Sequence, residues 1–258
     1  MYELFKIWVK GKYITESTLY PLELSELHRG LITRHFTFYK LLSEPDKRRF
    51  EHRVKKFIDK HKFVGRDGVE ITEKMRILIS STAIMLTFGM SRYLLSEFDT
   101  IIIYPKNYFS QVTKQQHKGE TNPKYRAIVF SWDDFMEGIK VENDNLNLGI
   151  HELTHALHFT FKKRKSVTAI NFMKRFKQLL HILKDRKLQR KIVASGYLRA
   201  YGFRNEYEFL AVLVEHFFET PQEFNEKLPE IYKMVRLMLN LDTLKMTARA
   251  SQGVILPK

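Results

Sequence analysis

The segment 147–163 reads NLGIHELTHALHFTFKK, and its centre is the pattern His151-Glu152-Leu153-Thr154-His155. Residues four apart lie on one face of an α-helix, so the two imidazoles can converge on one metal ion, and Glu152 beside them can act on a water molecule. Apolar residues fill most of the other positions, which predicts a helix from about Asn147 to Lys163 that is buried on nearly all sides. Polar side chains on a buried helix need a partner, and a shared ligand would satisfy all three.

Zinc is the metal that this pattern predicts. Zinc takes imidazole nitrogen and carboxylate oxygen in tetrahedral geometry, and a catalytic site uses three protein ligands and leaves the fourth position open. The alternative is that His151 and His155 are ordinary buried histidines. With only 10 His and 29 Asp+Glu in 258 residues, however, a chance occurrence of the pattern is uncommon. We therefore expect one zinc ion per chain.

The third ligand has to come from elsewhere, and the predicted helix 205–219 offers two candidates. Glu208 and Glu215 are seven residues apart and share one otherwise apolar face. Glu208 also fits a capping box with Asn205, in which its side chain would bond back to the start of the helix. The residue types alone therefore put Glu208 only modestly ahead of Glu215. His158 lies a full turn beyond the histidine pair, and we expect it to pack near the site rather than to bind metal.

The remaining pattern predicts an α+β fold, mainly helical with a small β-sheet, in one domain. Helices are predicted over about 43–65, 72–88, 147–163, 167–191, 205–219 and 226–239. Two runs rich in β-branched and aromatic residues predict strands at 100–104 and 127–132, with a polar loop over 110–124 between them. Residues 1–40 show no clear period and are expected to form an extension that packs on the body. Residues 41–258 then form the domain that carries the site.

Composition excludes several classes of protein and suggests an anionic partner. Without cysteine, the chain has no disulfide framework, iron–sulfur ligation or thiol nucleophile. The formal charge is +15, and the segment 162–191 holds 12 basic residues and one acid. We expect this segment to be the solvated face of a packed helix, with an anionic membrane or acidic protein as the alternative. It contains no groove-reading or base-stacking motif, so a nucleic-acid partner is not predicted.

Four motifs in this order resemble the Mlc titration factor A family of zinc metallopeptidases, over roughly residues 41–240. They are Ile101-Ile-Ile-Tyr-Pro105, Ala127-Ile-Val-Phe-Ser-Trp132, His151-Glu-Leu-Thr-His155 and Glu208-Phe-Leu-Ala-Val-Leu-Val-Glu-His-Phe-Phe218. The segment Tyr201-Gly-x-x-Asn-Glu-x-Glu208-Phe is also similar to the protease domain of anthrax lethal factor. One departure is His158, where many relatives carry Asp.

Both resemblances imply a zincin-like metallopeptidase domain of the gluzincin type. They imply that His151, His155 and Glu208 hold zinc, that Glu152 is the general base, and that Tyr201 assists at the transition state. The implied reaction is hydrolysis of a peptide or protein substrate, with aminopeptidase-like cleavage as one form. The implied alternative is a binding protein that sequesters a transcriptional repressor and whose zinc site is structural or vestigial.

Two further expectations concern the substrate and the compartment. The strand 127–132 is a candidate edge for an extended peptide, and the alternative is an ordinary buried strand. Relatives can carry an N-terminal membrane helix, and this chain shows no apolar run of the ~20 residues that a bilayer needs. We therefore expect a cytoplasmic protein, tethered to a membrane only if the natural chain has an anchor before Met1.

Overall fold

A computed structural model describes residues 7–9, 12–14, 21–110 and 114–251, with side chains over 21–110 and 114–248. Within this part of the chain the fold is mainly helical, as predicted, with twelve α-helices, one 3₁₀ turn and eight short strands. The strands are β1 Ile7–Val9, β2 Lys12–Ile14, β3 Lys62–Gly65, β4 Thr100–Tyr104, β5 Tyr108–Phe109, β6 Gln116–His117, β7 Gly119–Asn122 and β8 Ala127–Ser131. The helices are α1 Glu26–His35, α2 Thr37–Lys40, α3 Glu44–Lys60, α4 Glu73–Leu86, α5 Trp132–Lys140, α6 Leu148–Lys163, α7 Val167–Ile182, α8 Arg186–Ser195, α9 Glu206–Glu219, α10 Pro221–Lys227, α11 Pro229–Leu239 and α12 Thr243–Ser251, and the 3₁₀ turn is Ala200–Arg204.

The main sheet has four strands in the order β3-β4-β8-β7. The first three run parallel, and β7 is antiparallel to β8, with Thr121 opposite Ile128. The edge role predicted for 127–132 is therefore wrong, because β8 lies between two neighbours and its residues are all buried. The terminal strands are β3 and β7, and β7 lies inside the stretch predicted as a polar loop. Its sequence GETN has no β-branched or aromatic run to signal a strand.

Three predicted helices have different bounds in the structure, and each has a local cause. The first ends at Lys60, because the chain after His61 enters β3. The basic segment forms two helices instead of one, because the Asp185 carboxylate accepts the amides of Lys187 and Leu188 and starts a new helix. The helix predicted at 226–239 falls in two helices, α10 and α11, and each of them begins with a proline at its first position.

Helices α4 and α6 form the centre of the core. Both are buried along most of their length and pack against each other, and α6 also packs against α9 and β7. Of the predicted N-terminal extension, the described residues 21–40 place Ile32, Phe36 and Phe38 in this same core. Residues 1–6, 10–11 and 15–20 lie outside the described part. No helix within the described residues is long and apolar enough to cross a bilayer.

The buried His61 gives folding stability a predictable dependence on pH. Its ring is 4% exposed and stacks on Phe57 at 3.9 Å between centroids, and its Nδ1 donates to the Phe57 carbonyl oxygen at 2.8 Å. Burial lowers the pKa of His61 to about 4, against about 6.5 in an unfolded chain. Because the unfolded state then takes up the proton first, this contribution is complete above pH ~6.5 and is lost as the pH falls toward 4.

We therefore expect His61→Phe to flatten the pH dependence of the unfolding free energy. The shift corresponds to roughly 3 kcal/mol across this window. The measurement is urea denaturation of the parent and the variant at several pH values, with the exposed His181→Gln as the control. An equal slope for the parent and His61→Phe between pH 7 and 5 would contradict the prediction.

Candidate metal centre

Two features hold helix α6 in place: a side chain caps its start, and neighbouring helices and the sheet enclose it. The Asn147 side chain caps the helix by accepting the amide of Ile150 at 3.0 Å. The helix is then surrounded by α4, α5, α9 and the sheet, which leaves His151 and Glu152 each only 7% exposed. Two polar side chains are thus held at fixed positions in an apolar interior.

Three ligand atoms from two helices converge at one point. The Nε2 of His151 lies 3.2 Å from the Nε2 of His155 and 2.9 Å from Oε2 of Glu208. The same Glu208 oxygen lies 3.5 Å from the Nε2 of His155. A tetrahedral zinc ion about 2.0–2.1 Å from each ligand requires ligand atoms roughly 3.3 Å apart. The three separations scatter around that value, and two imidazoles with one carboxylate form a donor set that zinc prefers, so these residues fit a zinc ion.

The two candidate glutamates of α9 occupy different sides of His151. The Glu208 amide is bonded by the Asn205 side chain, but its carboxylate turns toward the histidines and away from the helix start. Glu215 instead meets the other ring nitrogen of His151, with Oε1 2.8 Å from Nδ1. Glu208 therefore faces the point shared by the two histidines, and Glu215 lies behind it.

Glu215 is held in place by a cationic partner that the sequence did not reveal. It is 1% exposed and receives two bonds from the Arg199 guanidinium, at 2.6 and 3.0 Å, and one from the Asn147 amide at 2.9 Å. A carboxylate on the outer nitrogen of a ligand histidine fixes the tautomer and the ring orientation. No motif marked Arg199, because its partner is sixteen residues away along the chain and across a turn.

The local charge favours a cation at this point. Burial lowers the pKa of His151, but its bonds to Glu208 and Glu215 outweigh burial and bring that pKa to about 10. Burial likewise raises the pKa of Glu208, and its contacts with the two histidines reverse that shift and hold it well below its usual range. The Glu208 carboxylate therefore stays ionised at neutral pH. Either a proton on His151 or a bound metal ion can balance it.

Glu152 lies beside this cluster and contacts the end strand of the sheet. Its Oε2 accepts the hydroxyl of Thr121 at 2.8 Å, and the same hydroxyl also lies 2.8 Å from the backbone oxygen of Glu152. Strand β7 passes so close that a Cβ added at Gly119 would lie 2.7 Å from Glu152 Cγ and 2.9 Å from Oε1. Sequence reasoning missed both contacts, because it treated this stretch as a loop.

If Glu152 has the role of general base that the family resemblance implies, Gly119→Ala should lower kcat by about ten- to a hundredfold, because the new methyl group would displace the Glu152 carboxylate. The measurement is the rate of peptide cleavage at saturating substrate, together with zinc content. Gly30→Ala is the matched control, since a Cβ there meets nothing within 4 Å. A Gly119→Ala protein with the parental kcat would show that the close approach of β7 does not position Glu152.

Tyr201 and His158 lie on opposite sides of the histidine pair. The Tyr201 ring is 5.7 Å from the His151 ring between centroids and is 39% exposed. Burial and the negative charges of Glu208 and Glu152 raise the pKa of Tyr201, so the phenol keeps its proton. His158 is 3% exposed, packs against Phe176 and Tyr207, and lies outside the three-atom cluster.

Comparison with known proteins gives the family. A protein of Synechocystis sp. named only as an uncharacterized protein is 22% identical over 251 residues, which is 89% of each chain. Mlc titration factor A of Yersinia pestis is 22% identical over 209 residues, 74% of this chain and 76% of the relative. The sequence profile of the glucose-regulated metallo-peptidase M90 family matches residues 11–239, and so includes part of the stretch 1–40 that the motif resemblance left out. With most of its length matched by that profile, the chain belongs to the glucose-regulated metallo-peptidase M90 family.

Proposed function

We propose that the protein is a zinc-dependent peptidase of the gluzincin type. His151, His155 and Glu208 would hold the zinc ion, Glu152 would act as general base, and Tyr201 would bind the developing oxyanion. The observation that supports this most is the convergence of the three ligand atoms within 4.8 Å of one another, with the Glu152 carboxylate beside them.

A bound zinc ion would supply a Lewis acid and lower the pKa of water to about 7. Glu152 is placed to take the proton of the attacking water and to pass it later to the leaving amine. Its bond from Thr121 fixes one carboxylate oxygen, at 2.8 Å, and the other oxygen lies at the start of β7. Because the side chain is 7% exposed, bulk water competes little for that proton.

Tyr201 is placed to donate its phenol O–H to the oxygen that gains charge in the transition state. Its raised pKa keeps the hydroxyl protonated at neutral pH. The guanidinium of Arg204 lies 4.6 Å from the Tyr201 ring centroid and supports the ring from the outside. A preorganised donor of this kind acts on the transition state more than on the substrate.

The end strand β7 offers a backbone edge for a peptide substrate. It is one of the two terminal strands of the main sheet in the described part of the chain, and it begins directly over Glu152. An extended peptide that paired with β7 would bring a backbone carbonyl close to the histidine pair. Under this proposal the substrate would dock on β7 instead of on the interior strand β8.

A more specific version of the proposal is that the enzyme cleaves as an aminopeptidase, and this version rests on the family resemblance. Comparing peptides with a free N-terminus against the same peptides acetylated tests it. Preference for the free N-terminus by about tenfold or more would support an aminopeptidase, and equal rates would exclude that form.

Metal analysis together with a chelator-sensitive cleavage screen tests the proposed activity. We expect about one zinc per chain, peptide cleavage that stops after chelation, and recovery on adding zinc. The name of the Yersinia relative favours a second candidate, capture of a transcriptional regulator. Regulator capture that survives chelation, in a protein that cleaves no peptide with zinc bound, would replace the peptidase by that function.

A further inference from the structure

A second pocket lies away from the metal centre, on the far side of Asn147. It has a volume of about 190 Å³ and lies among helices α1, α2, α4, α5, α6, α9, α10 and α12. Its apolar walls are Phe36, Leu41, Met85, Ile139, Phe218 and Met246. For scale, an engineered apolar cavity of about 150 Å³ in another protein binds benzene. The volume is therefore sufficient for one small aromatic or branched aliphatic molecule.

Glu219 lines this pocket, and one of its two carboxylate oxygens has no hydrogen-bond partner among the described residues. Glu219 accepts the Asn147 side-chain amide on Oε1 at 3.0 Å. Its other oxygen, Oε2, is buried and has no hydrogen-bond partner among the described residues. A buried, unpaired acceptor of this kind costs free energy unless a ligand or water satisfies it.

The charged residues that line the pocket itself are all acidic. The titratable residues that line it are His35, Glu142 and Glu219, and none of the described lining residues is Lys or Arg. Burial, with the charges of Lys74 and Arg34, lowers the pKa of His35, so His35 does not supply a positive charge at neutral pH. Glu142 is exposed and accepts the Thr37 hydroxyl at 3.0 Å, which places a second carboxylate on the pocket wall.

We propose that this Glu219 pocket binds a small organic cation, an ammonium group on a short apolar or aromatic body, with Glu219 as its counter-ion. The apolar walls would cover the body, and the ammonium would donate to the Glu219 carboxylate. The pKa of Glu219 agrees with this, because burial and the charges of Glu215 and Asp144 raise it to about 7, against the lowering effect of the bonds from Asn147 and from the Asn145 backbone. A bound cation would remove that penalty.

The pocket is connected to the metal centre through Asn147. The side chain of Asn147 bonds Glu219, and its backbone amide bonds Glu215, which in turn holds His151. The proposal does not depend on the peptidase activity, since it concerns a separate cavity. The connection does require that every variant be checked for zinc content before its ligand binding is compared with that of the parent.

The test uses three probes of nearly equal shape on the full chain: benzylamine, benzyl alcohol and toluene. We expect saturable binding of benzylamine at roughly millimolar concentration, as suits a fragment of this size. Benzylamine should bind about tenfold or more tightly than benzyl alcohol, because only the ammonium makes a charge-assisted bond. Equal affinities for the charged and neutral probes, or no saturable binding at all, would overturn the proposal and leave a pocket filled by water.

Methionine methyl signals locate the bound probe without any substitution. The chain has nine methionines, of which Met85 and Met246 line the pocket while Met173 and Met234 do not. With ¹³C-methyl methionine, benzylamine should shift the signals of Met85 and Met246 and leave those of Met173 and Met234 in place. Shifts confined to methionines outside the pocket would overturn the assignment.

Two variants distinguish the contribution of the Glu219 charge from that of the cavity volume. Glu219→Gln keeps the volume and the bond from Asn147, and it should reduce benzylamine affinity about tenfold while changing that of benzyl alcohol little. Leu41→Trp fills the space and should abolish binding of both probes. Unchanged benzylamine affinity in a folded Glu219→Gln protein would show that Glu219 is not the counter-ion. If this variant does not fold, the probe comparison and the methionine shifts on the parent still decide the outcome.

Discussion

Glu152→Gln is expected to lower kcat by about 10²- to 10⁴-fold while the protein keeps its full complement of zinc. The amide has nearly the same shape as the carboxylate and can still accept the Thr121 hydroxyl that lies 2.8 Å from Glu152 Oε2. It cannot take up a proton from water at neutral pH. Because Glu152 is not one of the three residues proposed to bind zinc, the affinity for zinc and KM should change little.

The measurement is kcat and KM on one peptide, with zinc content determined on the same samples. Glu137→Gln is the matched control, because Glu137 is an exposed glutamate on α5 outside the three-residue cluster, and its replacement makes the same chemical change. A Glu152→Gln protein that holds zinc and cleaves at the parental rate would show that another group is the base. Loss of zinc from this variant would instead place Glu152 among the ligands.

The sequence predicted the elements whose signals are local. Helix α6 has a cap, an apolar surround and two histidines four apart, and it extends over Leu148–Lys163, within one residue of the prediction. The strand at 100–104 and the helix beginning after Thr72 were also found, because β-branched runs and long apolar stretches are strong local patterns. These elements carry most of the core.

The features that the sequence did not predict depend on contacts between segments that are distant along the chain. Strand β7 is four polar residues, and it is a strand only because β8 pairs with it along one side. The choice between Glu208 and Glu215 could not be made from spacing, because both lie on one face of α9 and only the packing of α9 on α6 separates their partners. Arg199 lies in a non-helical segment before α9 and is recognised only by its bonds to Glu215. Tertiary packing decides each of these.

Glu208→Ala should lower the affinity for zinc more than a substitution behind the proposed ligands, such as Glu215→Gln. It should also reduce peptide cleavage to background. The variant removes one of the three proposed ligand atoms, the oxygen 2.9 Å from His151 and 3.5 Å from His155. Glu215→Gln removes a charge behind His151 and leaves all three ligand atoms in place. Replacing a residue that hydrogen-bonds a metal ligand typically lowers metal affinity about 10- to 100-fold. The loss in Glu208→Ala should be larger than that.

The comparison is made by zinc titration against a competing chelator, with circular dichroism to establish folding. Glu215→Gln needs that check most, because it leaves the Arg199 guanidinium facing a neutral amide at a position only 1% exposed. Added zinc should restore cleavage by Glu215→Gln, whose ligands remain, and should not restore it in Glu208→Ala. The reverse order, with the larger loss of affinity in a folded Glu215→Gln protein, would mean that Glu215 is the ligand and that the His151 ring binds through its other nitrogen.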